Sequence, residues 1–187
     1  MPDTIRDGTG SGSVAKVTSN KLDVSARANA RIYYASRENG KAFIIQFELT
    51  QATGGATEGV GYIKYTGVDR LNIKQVSFTS EDSAMTKFGV WKNPTVSGGL
   101  ASLPTNMNFG SNNSPNVTCA EDADGTTVSI VGGTSLYTIR TNGPDTKIVD
   151  FYDAIILGTN DIIAFKGNAA TTASKVRVNI MFAESIT

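Results

Sequence analysis

The side chains able to do covalent or proton-transfer chemistry here are carboxylates, hydroxyls and one thiol, because the 187 residues include no histidine. That absence removes Ser–His and Cys–His nucleophile pairs, histidine-ligated zinc and the usual general base near neutral pH. Carboxylate-pair hydrolysis survives this test. Asp145, Asp150, Asp153 and Asp161 fall near strand ends in the C-terminal half, but no spacing sets two of them at a working separation. They read as solvated turn residues, so no catalytic residue is assigned. Glu121-Asp122-Ala123-Asp124-Gly125 has the local look of a calcium loop. The twelfth position counted from Asp122 is Gly133, however, where an EF-hand needs a glutamate, and a β pattern follows. A hairpin turn at Asp124-Gly125 accounts better for the segment. A looser loop-type cation site is the alternative, and no metal or cofactor is assigned.

Asp7–Ser13 reads DGTGSGS. It lacks the Gly-Lys-Ser/Thr of a phosphate loop, follows no strand and opens no helix, so it reads as a flexible N-terminal arm over residues 1–13 or as an arm that orders on a neighbouring subunit. Cys119 has no partner within the chain and reads as a small buried apolar residue. Trp91 and the tyrosines at 33, 34, 62, 65, 137 and 152 lie mostly inside strand patterns, which makes them core or interface groups before it makes them a sugar-stacking surface. Tyr33 and Tyr34 must point to opposite faces, so one of them is exposed or at a contact.

Seventeen Lys+Arg balance seventeen Asp+Glu. Such a balance offers no basic field for phosphates, so no nucleic-acid partner is expected. The opening residues Met1–Gly8 lack the apolar core of an export signal, and no apolar run is long enough to span a bilayer as a helix. Synthesis in a cytoplasm without export, with no membrane partner, is the expectation.

These residues must be held by strands. The chain is 40% hydrophobic, with 19 Gly and 5 Pro, a mixture that suits many strands joined by tight turns. Val14–Val17 and Leu22–Val24 flank a turn, and Ala26–Ala30 could start a helical turn. Arg31–Ala35 and Lys41–Thr50 flank Glu38-Asn39-Gly40, a hairpin signal. In the return strand Phe43, Ile45, Phe47 and Leu49 share one face. Val60 is grouped with Tyr62, opposite Ile63 and Tyr65; Leu71 and Ile73 are grouped with Gln75 and Ser77, opposite Val76 and Phe78. Met85–Trp91 is a fifth core-type strand. Residues 93–116, with Pro94, Pro104 and Pro115, read as an ordered but irregular surface excursion and a place to look for a partner. Short strands follow at 117–120, 126–131, 135–141, 146–151, 154–157, 161–166 and 175–182. The rhythm of roughly ten strands predicts one antiparallel β-sandwich or barrel over 14–187.

Three segments carry a resemblance. They are DGTGSGSVAKVTSNKLDV (7–24), ASRENGKAF with GYIKYTG (35–43 and 61–67), and IILGTNDIIAFKG with KVRVNIMF (155–167 and 175–182). In this order they resemble small tailed-phage virion proteins with a jelly-roll body: capsid decoration (cement) proteins and head or tail fibre components. The resemblance implies an all-β, jelly-roll-like antiparallel sandwich, no catalytic residues, and a homotrimer. It further implies a place on the virion, at capsomer seams or symmetry axes, with the major capsid protein or other virion proteins as partners. The alternative is a fibre or receptor-binding module that recognises a host glycan through an aromatic groove near Trp91 or Tyr137. The candidate assembly contacts are Arg6, Asp7, Gly8, Gly10, Gly12, Val14, Tyr34 and Trp91, and the edge strand or apolar face that a neighbouring protomer buries is expected on Lys41–Thr50 or Lys175–Phe182.

Overall fold

Strict alternation decides the first long strand. Phe43, Ile45, Phe47 and Leu49 are buried, while the residues between them face outward, as a half-buried strand requires. The structure is a computed structural model that describes residues 40–123 and 126–184 together with the backbone of three short strands nearer the N-terminus. The Ala26–Ala30 turn, the strand Arg31–Ala35 with its Glu38-Asn39 turn, and the Asp124-Gly125 turn lie outside the described residues.

Among the described residues there are sixteen strands and no helix. They are β1 (Thr4–Arg6), β2 (Val14–Thr18), β3 (Lys21–Leu22), β4 (Ala42–Thr50), β5 (Glu58–Tyr65), β6 (Leu71–Ser80), β7 (Met85–Lys92), β8 (Thr95–Gly98), β9 (Leu100–Ala101), β10 (Thr105–Asn106), β11 (Val117–Glu121), β12 (Val128–Val131), β13 (Thr134–Asn142), β14 (Asp145–Leu157), β15 (Ile162–Ala169) and β16 (Lys175–Glu184). Strands β1, β2 and β3 form a small antiparallel sheet. The body has a five-stranded sheet in the order β10-β4-β16-β6-β14 and a six-stranded sheet in the order β13-β7-β15-β5-β11-β9.

All pairings are antiparallel, and the eight long strands pair as β4/β16, β5/β15, β6/β14 and β7/β13. The chain therefore pairs like one long hairpin, with successive pairs falling in alternate sheets. That strand order is the winding of a jelly roll, two Greek keys folded into a sandwich. The inner faces meet through Phe47 against Phe165, with ring centroids 6.2 Å apart, and Phe78 against Phe88 at 5.3 Å. Such offset ring pairs add to simple area burial.

Two bulges revise the expected faces. In β16 Met181 lies opposite Gln75 and Phe182 opposite Ile73, so Lys74 is an extra residue. The core phase switches there, and Leu71 and Ile73 are buried together with Val76 and Phe78, not opposite them. In β5, Gly61 pairs with Phe165 and Gly59 with Lys166, which makes Val60 the extra residue. Val60 thus turns into the core with Ile63 and Tyr65, away from Tyr62. A bulge changes side-chain phase without ending a strand. The segments 146–151 and 154–157 are likewise one strand, β14, whose register shifts between Asp150 and Ile155.

Residues 93–116 are more regular than the sequence suggests. They supply β8, β9 and β10. Strand β9 pairs with β11 on the six-stranded sheet, and β10 pairs with β4 on the five-stranded one. The excursion thus crosses the same side of both sheets. Gly98 and Gly99 turn it there with φ of 72° and 88°, which side-chain-bearing residues rarely adopt.

Candidate assembly surfaces

The carboxylates are employed in holding backbone. Asp145 accepts from the Thr146 amide at 2.7 Å and pairs with Lys147 at 2.6 Å. Asp150 accepts from Gln75 Nε2 at 2.6 Å. Asp161 accepts from the Gly158 amide and from Asn93 Nδ2, at 2.9 and 2.8 Å. These bonds hold its carboxyl below the usual carboxylate range, the Gly158 amide first. Glu121 Oε2 takes the Glu48 amide at 2.9 Å, and Asp122 Oδ2 takes the Val128 amide at 3.3 Å. Burial pushes the Asp122 carboxyl upward. Among the described residues no three such groups converge as metal ligands. Cys119 is buried, and desolvation pushes its thiol up to about 12, so it stays protonated and unreactive.

Of the expected contacts, Arg6 and Val14 are brought together: they sit opposite each other where β1 pairs with β2. Thr4–Arg6 forms an antiparallel ladder with Val14–Lys16. Asp7, Gly8, Gly10, Gly12 and Tyr34 lie outside the described residues. Trp91 stands half-buried on the outer face of β7. Its indole lies across Gly89, where a Cβ would fall 2.8 Å from Nε1. The Lys166 ammonium sits 4.3 Å from the ring centroid, a cation–π contact that occupies one ring face.

Of the two strands expected to offer a neighbour an edge or an apolar face, only β4 lies near a sheet edge. Strand β16 is paired on both sides, with β4 and β6. On β4, Phe43 and Ile44 are paired with β10, and the Glu48 amide is taken by Glu121. Strand β16 thus has no free edge for another strand, and the free edge of β4 is shortened.

Two groups of exposed apolar side chains lie on opposite sides of the sandwich. One set is in the excursion, where Leu103 is 88% and Phe109 93% exposed. The backbone around them is pinned. Asn106 Nδ2 donates to the Gly40 and Asn113 carbonyls, its Oδ1 accepts from the Asn108 amide, and Glu184 Oε1 accepts from the Asn116 amide at 2.7 Å. The other set lies on β13 and β14, where Leu136 is 44%, Ile148 62% and Tyr152 81% exposed, with Tyr137 and Ile156 beside them. Tyr137 meets Phe151 edge-on at 6.0 Å. Leu136, Ile155, Ile156 and Ile163 line an apolar cleft between the two sheets on this side. The sequence carries a signal for this second set that alternation alone passes over. Leu136-Tyr137, Ile148-Val149 and Ile155-Ile156 are apolar doublets, and neighbours on a strand face opposite ways.

No protein-family model matches the chain, and a search of curated proteins finds no match. Among solved structures it is similar to that of infectious bursal virus derived T=1 particles, at 14% identity and a TM-score of 0.20, over 100% of this chain and 45% of that one. It is also similar to the infectious bursal disease virus VP2 subviral particle, at 12% identity and a TM-score of 0.19, over 99% and 47%. The chain spans less than half the length of either, and scores this low define no shared fold.

Proposed function

We propose that this chain is a virion structural protein that decorates and stabilises a tailed-phage head, bound at capsomer seams or symmetry axes and acting without catalysis. The observation that carries the reading is the stretch 102–116 of the 93–116 excursion. Its backbone is tied down at Asn106 and Asn116, yet it holds Leu103 and Phe109 in solvent. Apolar side chains held out on a fixed backbone are what a contact surface needs, because little ordering entropy remains to be lost on binding. The sequence resemblance supplies the identity of the partner, the major capsid protein or another virion protein. Repeated docking around the particle adds avidity to a modest single contact. The glycan-binding alternative gains nothing from Trp91, whose ring carries Lys166 on one face.

Particles assembled without this protein are expected to lose heat and osmotic resistance, and added protein to restore it. The pair Leu103→Ser and Phe109→Ser, which removes no buried contact, is expected to abolish that restoration. Particles indifferent to the protein's presence, or protein found at the tail tip, would sink the reading.

A further inference from the structure

The two sides of the sandwich differ in how their edge strands end. On the side of β4 and β5, strands β10, β11 and β9 extend both sheets. On the other side, among the described residues, β13 and β14 are the last strands of their sheets, and each is hydrogen-bonded to one neighbour. Both are long, nine and thirteen residues. Asn142 lies opposite Met85 and Asp145 opposite Ser80, so the two strands leave the Gly143 corner together and run in opposite directions. The halves nearest that corner, 137–142 and 145–150, are in regular register, and the bulges fall beyond them. The exposed Leu136, Tyr152 and Ile156 belong to the bulged halves.

We infer that this edge is a two-fold interface with a second copy of the chain, in which β13 and β14 of one protomer extend both sheets into the other. The geometry selects the occupant. A single extended peptide satisfies one of the two open strands. Both are satisfied by a body that presents two strands of opposite direction at the spacing of sandwiched sheets, about 10 Å. A second copy presents that edge. A two-fold axis along the strands, or normal to the sheets, pairs the open strands antiparallel in both sheets at once. Charge permits it: the regular halves carry Arg140 and Lys147 against Asp145 and Asp150, so like copies meet without a net field. The size fits as well. β14 spans the ten residues of β6, Leu71–Ser80. At about 3.3 Å per residue and about 20 Å across two sheets with their side chains, the edge offers roughly 650 Å² per partner. Doubled, that is about 1,300 Å², within the range of specific interfaces. The inference deepens the assembly reading above and replaces its expected trimer with a two-fold pair.

The test is sedimentation of the full chain across about 1–100 μM, a span that brackets micromolar affinity. The wild type is expected to reach twice the 19.7 kDa chain mass. Ile148→Lys places a charge on the open edge and is expected to weaken association at least about tenfold with an unchanged circular dichroism spectrum. Phe109→Ser, on the far side, is expected to leave the dimer intact. Should Ile148→Lys fail to fold, hydrogen exchange of the wild type decides: amides of β13 and β14 are expected to gain protection as concentration rises. A wild-type monomer, a trimer, a dimer indifferent to Ile148→Lys, or β13 and β14 exchange that ignores concentration overturns the inference. A monomer that still protects phage heads removes the two-fold interface and leaves the decoration reading standing. A dimer that does nothing for particles does the reverse.

Discussion

The closed and open sides of this sandwich are built from the same kind of strand and reach opposite ends. On the closed side the long connection between β7 and β13 returns across both sheets, lays β9 and β10 on their edges and is anchored by Glu184 and Asn106. On the open side the connection between β13 and β14 is only Gly143-Pro144, too short to cover anything. Edge exposure is therefore a matter of connection length. Among the described residues a two-residue corner leaves two strands without a second neighbour and with apolar doublets, and a long crossover supplies its own cover.

Substitutions on the two sides are expected to differ accordingly. The largest effect should come from Gly61→Val on β5. A Cβ there would fall 2.5 Å from the Phe47 ring and 2.9 Å from the Ala120 carbonyl, so urea unfolding should show a loss of about 3 kcal/mol or more. Next is Glu184→Ala, which strands the Asn116 amide and side chain. A loss of about 2 kcal/mol is expected, with faster amide exchange across 105–117. If Glu184→Ala leaves exchange there unchanged, the closed side is not held as described.

The open side has a buried defect. Thr141 on β13 is fully buried, and among the described residues its Oγ1 has no hydrogen-bond partner. Thr141→Val removes the unsatisfied hydroxyl, and a gain of about 1 kcal/mol in urea unfolding is expected.

A smaller effect is tied to pH. On the outer face of the five-stranded sheet Glu48 bonds Lys175 Nζ at 2.9 Å and Arg177 Nε at 2.6 Å, and Arg177 also reaches Glu81. The Lys175 bond first, against the pull of burial and with help from Arg177, holds the Glu48 carboxyl below its ordinary 4.5. A carboxyl lowered in the folded state stabilises above its unfolded value, and that contribution is lost as pH falls through the folded value. Glu48→Gln should thus flatten the stability profile below about pH 4.5. The change should be under about 1 kcal/mol, because the pair is partly solvated. The smallest effect is Ile148→Ser at a dilution where the chain is monomeric. It should shift the unfolding midpoint by less than about 0.5 kcal/mol, since the side chain is mostly exposed there. A large loss would mean that Ile148 packs within its own protomer, and the contrast between the sides would fail.

Much of the body was legible from local chemistry. The alternation of Phe43, Ile45, Phe47 and Leu49 named a buried face that the structure keeps, because period two and half-burial are properties of a strand alone. The bulges at Val60 and Lys74 were not legible as such, although the switch from Leu71 and Ile73 to Val76 and Phe78 was present in the sequence. Reading it as a bulge requires knowing that the strand continues.

The candidate surface was less legible still. The interior place of β16 and the paired edge of β4 follow from strand order, which depends on contacts far apart in the chain. The sequence by itself determined an all-β chain without histidine, its strand periods, its corners, and which side chains are apolar. Only the tertiary structure decided which strands end each sheet, and so which apolar residues are left uncovered. Side-chain period is a local property of the backbone, whereas an edge is defined by the absence of a neighbour.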